Sequence, residues 1–231
     1  MKNDQPHILQ RPLRTPRAAA FAGICFAVLQ TAAIILFQVS IPADSFSQSD
    51  WLDEQSRNIT LALGLMPFAG IAFLWFMGVV RDRLGHLEDQ FFSTLFFGSG
   101  LLYLAMTFAT AAVAGGIISI YAVDPDMVVT GGFYLFGRAM IYKFNNVFAI
   151  RMAGMFMTAL GTIWVRTGLM PRWLAISTYL IAFALLIGIS FYPWTTLLFP
   201  VWVFVISAYI LVLNYRYEHK DGVTLGKLSI S

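Results

Sequence analysis

Six long apolar stretches, separated by shorter polar segments, define the pattern of this chain. Each stretch is 20 to 26 residues long, and a helix needs about 20 mostly apolar residues to cross a hydrocarbon core of roughly 30 Å. None of them contains Asp or Glu, and only the fourth contains a basic residue, Arg151. The pattern predicts an all-α fold and a polytopic membrane protein. We expect a six-transmembrane-helix bundle, with helices over residues 18–40, 59–80, 91–116, 145–165, 173–192 and 194–214.

Polar segments at both ends divide the chain into three parts. Residues 1–17 are basic and contain three prolines, which predicts an N-terminal tail, and residues 215–231 are predicted as a C-terminal tail. The transmembrane domain lies between them, over residues 18–214. A cleaved signal peptide is the alternative for the first span, because Ile-Pro-Ala at 41–43 is a tolerable cleavage site. That span is longer than the roughly 7–15 apolar residues of a signal-peptide core, so we expect a retained anchor.

Composition and charge agree with a membrane protein. Hydrophobic residues make up 58% of the chain, charged residues 12%, and the mean hydropathy is +0.72, whereas soluble domains contain about 25% charged residues. Eleven Lys and Arg residues lie in the alternate polar segments 1–17, 81–90, 166–172 and 215–231. The other polar segments contain three: Arg57, Arg138 and Lys143. Because cytoplasmic loops are enriched in basic residues, both termini are predicted to be cytoplasmic.

Several kinds of chemistry are disfavoured by the residues available. The three histidines, His7, His86 and His219, lie outside the predicted spans, where they cannot serve as axial ligands of a haem held between helices. Spans without carboxylates also lack the ligands of a hydrolytic metal centre. We therefore predict no cofactor, no metal and no catalytic residues, and an enzyme is the least expected class. The basic residues are scattered over the loops, so we expect no nucleic-acid partner.

The stretch Lys-Phe-Asn-Asn-Val-Phe-Ala-Ile-Arg, residues 143–151, interrupts this apolar pattern. From Gly132 to Val165 the chain has 34 residues, which as one helix would be about 50 Å long. That length exceeds the hydrocarbon core. We therefore predict an amphipathic helix on the outer face over residues 133–143, with a turn at Asn145 and Asn146 into the fourth span.

Arg151 is the candidate anchor of a binding site. It lies six residues after Asn145, about 9 Å below the outer edge of the hydrocarbon, and Gln30 in the first span has a similar predicted depth. Charged residues inside a membrane are functional candidates by default. The alternative is that the side chain bends toward the interface, as long basic side chains do near helix ends. Arg138 and Lys143 would attract an anion from outside.

The predicted ligand-binding residues are therefore Arg151, Gln30, Asn145, Asn146, Lys143 and Arg138. On this hypothesis Arg151→Gln is expected to fold and to lose the binding of an anionic lipid or ligand.

The segment from Asn146 to Leu186 also carries a resemblance. It contains Arg151 on one predicted helix, followed by the turn Arg166-Thr-Gly-Leu-Met-Pro-Arg-Trp-Leu174 into the next. Here Gly168 is expected to end one helix and Pro171 to begin another. The segment resembles an uncharacterised family of bacterial multi-spanning inner-membrane proteins. This resemblance implies a small protein of the bacterial inner (plasma) membrane and no particular activity.

These observations lead to one expected function and two alternatives. The first is a non-catalytic protein that binds a lipid or an anionic amphipathic small molecule between its helices near the outer face. Its partners would be membrane lipids, such a ligand, or a membrane protein. The alternatives are a structural or accessory subunit of a membrane complex and a small transporter. A transporter should contain a water-filled cavity that reaches the bilayer centre.

Overall fold

The computed structural model describes residues 15–40, 50–84, 90–130, 132–168, 170–187 and 192–228. Over these ranges the fold is all-α, as predicted, and no strand occurs. The α-helices are α1 (Thr15–Ser40), α2 (Asp50–Leu84), α3 (Gln90–Val123), α4 (Pro125–Thr130), α5 (Phe133–Tyr142), α6 (Ile150–Thr167), α7 (Arg172–Ile187) and α8 (Leu198–Leu228). A π-helical segment, Lys143–Ala149, joins α5 to α6, and a 3₁₀ turn, Pro193–Leu197, precedes α8.

Five helical segments of the described chain are long and apolar enough to cross a membrane. They are Ala18–Ser40, Ser56–Asp82, Gln90–Val123, Phe133–Thr167 and Trp194–Leu213. The predicted fifth span, 173–192, corresponds to α7, which has 16 residues and a length of about 24 Å. Residues 188–191 at its predicted end lie outside the described chain. The structure therefore supports five spans by length and composition, and the count of six is not confirmed.

The turn predicted at Asn145 and Asn146 is absent, because the helix continues through both residues. The backbone stays right-handed helical at each end of the π-helical segment, with φ −59° and ψ −46° at Tyr142 and φ −60° and ψ −44° at Ala149. The prediction assumed that a helix longer than the hydrocarbon must break. The helical run Phe133–Thr167 instead continues over 35 residues, similar in length to α2 and α3 with 35 and 34 residues.

The predicted tails are only partly within the described chain. Residues 1–14 lie outside it. Residues 215–228, predicted as part of the C-terminal tail, belong to α8, which continues to Leu228.

Antiparallel neighbours build the bundle. Helix α1 packs against α2 and α8, α3 packs against α6, and α6 packs against α7. Short connections between long helices favour this antiparallel arrangement. The end of α1 at Ser40, the end of α3 at Val123 and the 3₁₀ turn therefore lie at the same end of the bundle as α5. We call this end the α5 end.

A cluster of aromatic rings forms the centre of the bundle. Phe73 on α2 lies 4.6 Å from Phe26, 5.7 Å from Tyr103 and 5.3 Å from Phe156, measured between ring centroids. Phe199 on α8 closes the cluster at 5.7 Å from Phe73. Distances of 4.5–7 Å are typical of aromatic pairs that attract each other. The rings thus join α1, α2, α3, α6 and α8 in one core. We call these five rings the aromatic cluster.

The turn between α6 and α7 has the predicted geometry. Gly168 follows the last residue of α6 with φ +66° and ψ +12°, the left-handed conformation that ends many helices. Pro171 directly precedes α7, and its carbonyl accepts a hydrogen bond of 3.0 Å from the N–H of Leu174. Both predictions for this turn are confirmed.

We expect Gly168→Ala to lower the free energy of unfolding by about 1–2 kcal/mol, because an L-residue pays that cost in the left-handed conformation. No atom lies within 4 Å of the added Cβ, so the effect is one of backbone conformation alone. Gly116→Ala on α3, which also meets no atom within 4 Å, is the control, and its higher helix propensity predicts unchanged or increased stability. Thermal unfolding in a mild detergent measures both. Equal stability of the two variants would contradict the prediction.

Candidate functional site

A cavity of about 380 Å³ lies at the α5 end of the bundle. Helix α1 contributes one wall, formed by Gln30, Ile34, Phe37 and Gln38. The opposite wall comes from α5 and the π-helical segment, through Arg138, Ile141, Tyr142, Asn145 and Asn146. Three further elements complete the lining with one residue each: Met66 of α2, Thr110 of α3 and Trp194 of the 3₁₀ turn.

Helical periodicity explains why these residues share the cavity. The α1 residues are spaced at intervals of four, three and one, and those of the opposite wall at three, one, three and one. Residues three and four apart lie on one face of a helix. Each wall is therefore a single helical face.

The two walls run in opposite directions, which gives the cavity a floor and a mouth. Gln30 and Gln38 are eight residues apart on α1, a rise of about 12 Å. Gln38 is nearer the end of α1, so it lies at the mouth, whereas Gln30 lies at the floor. On the opposite wall Arg138 lies at the mouth, and Asn145, about 10 Å further along the helix, lies at the floor.

Burial differs around the lining. Gln30, Thr110 and Asn146 are 3%, 4% and 7% exposed, Gln38 and Arg138 are half-buried, and Tyr142 and Trp194 are 42% and 46% exposed. We use "floor" for Gln30, Thr110, Asn145 and Asn146, and "mouth" for Gln38 and Arg138. The cavity therefore reaches the surface beside Tyr142 and Trp194.

Side chains at the floor belong to a polar network. Gln30 and Thr107 both hydrogen-bond through their side chains to the hydroxyl of Tyr103. The Asn145 Nδ2 donates a hydrogen bond of 3.4 Å to Asn146 Oδ1. Buried polar groups are nearly always hydrogen-bonded, and this network places several of them near the middle of the bundle.

A second, much smaller cavity lies behind Asn145. Its volume is about 10 Å³, close to the space that one water molecule needs. Its polar lining comes from Tyr103, Asn145, Thr195 and Thr196, and Phe199 also borders it. Tyr103 and Phe199 belong to the aromatic cluster, so the polar region ends there and the packed core begins.

Arg138, which is half-buried, is the only Lys, Arg, Asp or Glu among the described residues that line the large cavity. The apolar residues Ile34, Phe37, Met66 and Ile141 separate Arg138 from the floor.

The structure brings together four of the six predicted site residues: Gln30, Arg138, Asn145 and Asn146. Lys143 is exposed and, like Arg151, does not line either described cavity. The Arg151 Nη1 donates a hydrogen bond of 2.8 Å to the carbonyl of Val147, four residues earlier in the same helix. The guanidinium thus turns back toward the α5 end, which is the geometry of the snorkelling alternative.

Sequence reasoning did not identify eight residues of the lining. Gln38 and Tyr142 could have been found, because they lie eight and four residues from Gln30 and Arg138 and share their helical faces. Ile34, Phe37 and Ile141 lie on those same faces but resemble any core residues. Met66, Thr110 and Trp194 come from other elements, and no local spacing connects them to this site.

Comparison with known proteins provides no relative on which to base an assignment, because no family model, curated protein or solved structure matches the chain. The resemblance of the segment from Asn146 to Leu186 to bacterial inner-membrane proteins stays a prediction.

Proposed function

We propose that this chain is a multi-pass protein of the bacterial inner (plasma) membrane and that its large cavity binds a lipid or an anionic amphipathic small molecule. Five apolar helices of sufficient length support the membrane location. Large apolar side chains are also exposed on the outside of the bundle, among them Phe68, Trp75, Leu102, Leu180 and Phe183, at 64%, 72%, 50%, 67% and 64%. Extensive apolar exposure of this kind is typical of a surface that meets lipid or a partner.

In this proposal the α5 end faces outward and both termini face the cytoplasm. The distribution of basic residues supports this orientation. Helix α7 then makes a sixth crossing. Its length of about 24 Å is shorter than the average hydrocarbon thickness, and local thinning of the bilayer can accommodate such a difference at modest cost.

The observation that carries the binding function is the combination of an arginine at the mouth with apolar side walls, in a cavity whose described lining residues include no Asp or Glu. The cavity volume of about 380 Å³ lies within the range of roughly 300–1,000 Å³ found for small-molecule sites. An arginine can hold a carboxylate or a phosphate through two parallel hydrogen bonds. The apolar walls would contact the aliphatic part of the same molecule.

Binding is favoured over transport by what lies beneath the cavity. A carrier needs a route past the floor toward the opposite side of the membrane. The aromatic cluster occupies that position, and Phe26 and Phe73 are both 0% exposed. This packing supports a site that opens toward one side.

Arg138→Gln is expected to weaken the binding of decanoate, a single-chain carboxylate, about tenfold or more, because a hydrogen bond to a charged group contributes about 1.5–3 kcal/mol. The matched control is Arg151→Gln, which removes an arginine of the same helix that does not line the cavity. Titration of the purified protein, followed by native mass spectrometry, measures the affinity for decanoate. Decanol, its uncharged analogue, should bind both variants and the unchanged protein equally.

The opposite pattern would contradict the proposal. If Arg138→Gln binds decanoate as tightly as the unchanged protein, or if Arg151→Gln loses binding instead, the anion is not held in this cavity. Native spectra of protein extracted from its membrane also report any bound protein subunit. A stable complex with another membrane protein, together with an unaffected Arg138→Gln variant, would favour the accessory-subunit alternative.

A further inference from the structure

The large cavity is polar at both ends and apolar between them. At the mouth stands Arg138, and at the floor stand the neutral side chains of Gln30, Thr110, Asn145 and Asn146. Ile34 lies midway between Gln30 and Gln38 on one wall, and Ile141 lies between Arg138 and Asn145 on the other. A ligand that fills this space meets a cation first, then hydrocarbon, and then amides.

The floor is poorly suited to an acyl tail. A primary amide offers two N–H donors and a carbonyl acceptor, and the floor holds three such amides. Among the described residues, the Gln30–Tyr103 contact and the Asn145–Asn146 contact use only part of this capacity. A methyl-terminated chain that entered tail first would replace water at these amides without offering them a hydrogen bond, and burying polar groups in this way is unfavourable.

We infer that the ligand is polar at both ends: a neutral hydrogen-bonding group enters first and reaches the floor, while the anionic group remains at Arg138. This inference rests on the proposed binding function and specifies the class of ligand. The distance between the two ligand groups follows from the helix rise. Arg138 and Asn145 are seven residues apart, which corresponds to about 10 Å along the helix.

The chemical class is therefore an acid with an apolar spacer and a terminal hydroxyl, carbonyl or amide group. A second carboxylate is not the preferred group at the floor end of the ligand, because the described residues of the floor offer no positive charge. A ligand with an unmodified acyl tail, such as a simple fatty acid, would use only the mouth and the apolar walls.

The test compares two probes that differ only at the far end, decanoate and 10-hydroxydecanoate. The unchanged protein is expected to bind 10-hydroxydecanoate about fivefold more tightly than decanoate, since a neutral hydrogen bond typically changes affinity by that factor. Gln30→Leu is expected to abolish this preference. Gln38→Leu removes the same chemical group from the same helix at the mouth, and it should leave the preference intact.

Each outcome separates this inference from the proposed function. Arg138→Gln should weaken the binding of both probes by the same factor and so leave the ratio of their affinities unchanged. If the unchanged protein binds decanoate as tightly as 10-hydroxydecanoate, and Arg138→Gln weakens the binding of both, the inference is overturned and the binding function stands. If Arg138→Gln weakens the binding of neither probe, the proposed function itself fails.

A second variant keeps the test valid if Gln30→Leu does not fold. Asn146→Leu removes a different amide from the floor and should abolish the same preference. Retention of the preference in folded Asn146→Leu or folded Gln30→Leu protein would overturn the inference.

Discussion

Replacing Phe73 with alanine is expected to lower the free energy of unfolding by about 3 kcal/mol, at the lower end of the range for deleting a buried phenylalanine. Phe73 is 0% exposed and contacts rings on α1, α2, α3, α6 and α8. In a bilayer the surrounding lipid is as apolar as the core, so transfer of the ring contributes little. The cost comes from the van der Waals contacts that the resulting void removes.

Phe68→Ala is the matched control, because Phe68 lies on the same helix but is 64% exposed. Its ring would face lipid in the proposed membrane orientation, and its loss should change stability by less than about 0.5 kcal/mol. Equilibrium unfolding of both variants in detergent, followed by circular dichroism, measures the difference. Similar stabilities for Phe73→Ala and Phe68→Ala would show that the aromatic cluster is not the stabilising core of the bundle.

Gly100→Leu is expected to have the second largest effect, a loss of about 3 kcal/mol or failure to fold. A Cβ at Gly100 would overlap the sulfur of Met77, and it would lie 3.1 Å from the ring of Phe156. Both neighbours are 0% exposed and cannot move into free space. Overpacking of this kind costs about 1–3 kcal/mol even for smaller additions.

Gly98 provides the control two residues earlier on the same helix. No atom lies within 4 Å of a Cβ placed there, so Gly98→Leu should fold with stability within about 1 kcal/mol of the unchanged protein. The yield of monodisperse protein on gel filtration and the midpoint of thermal unfolding distinguish the two variants. Normal yield and stability for Gly100→Leu would contradict the close approach of α2, α3 and α6.

Local patterns predicted the helices well and the long-range arrangement poorly. The all-α fold and the turn at Gly168 and Pro171 follow from hydrophobic length and from residue conformations that act within a few positions. The break predicted at Asn145 and Asn146 was wrong, because helix length relative to the hydrocarbon does not by itself interrupt a helix. The predicted fifth span, 173–192, corresponds to α7, and its residues 188–191 lie outside the described chain.

The candidate site illustrates the same division. Gln30, Arg138, Asn145 and Asn146 were predicted from depth and charge, and the structure brings these four together. Charge and depth also selected Arg151, whose side chain instead contacts the carbonyl of Val147 on its own helix. Depth describes position along the membrane normal and contains no information about the direction in which a helical face points.

By itself, the sequence determined that this chain forms long apolar helices, where one of its tight turns lies, and that the six predicted spans contain one arginine and no acidic residue. These properties depend on residue type and on spacing within a single segment. Only the tertiary structure decided that Arg138 rather than Arg151 faces the cavity, that Met66, Thr110 and Trp194 complete its lining, and that an aromatic cluster closes it below. Each of these depends on the rotation and packing of separate helices, which no local spacing encodes.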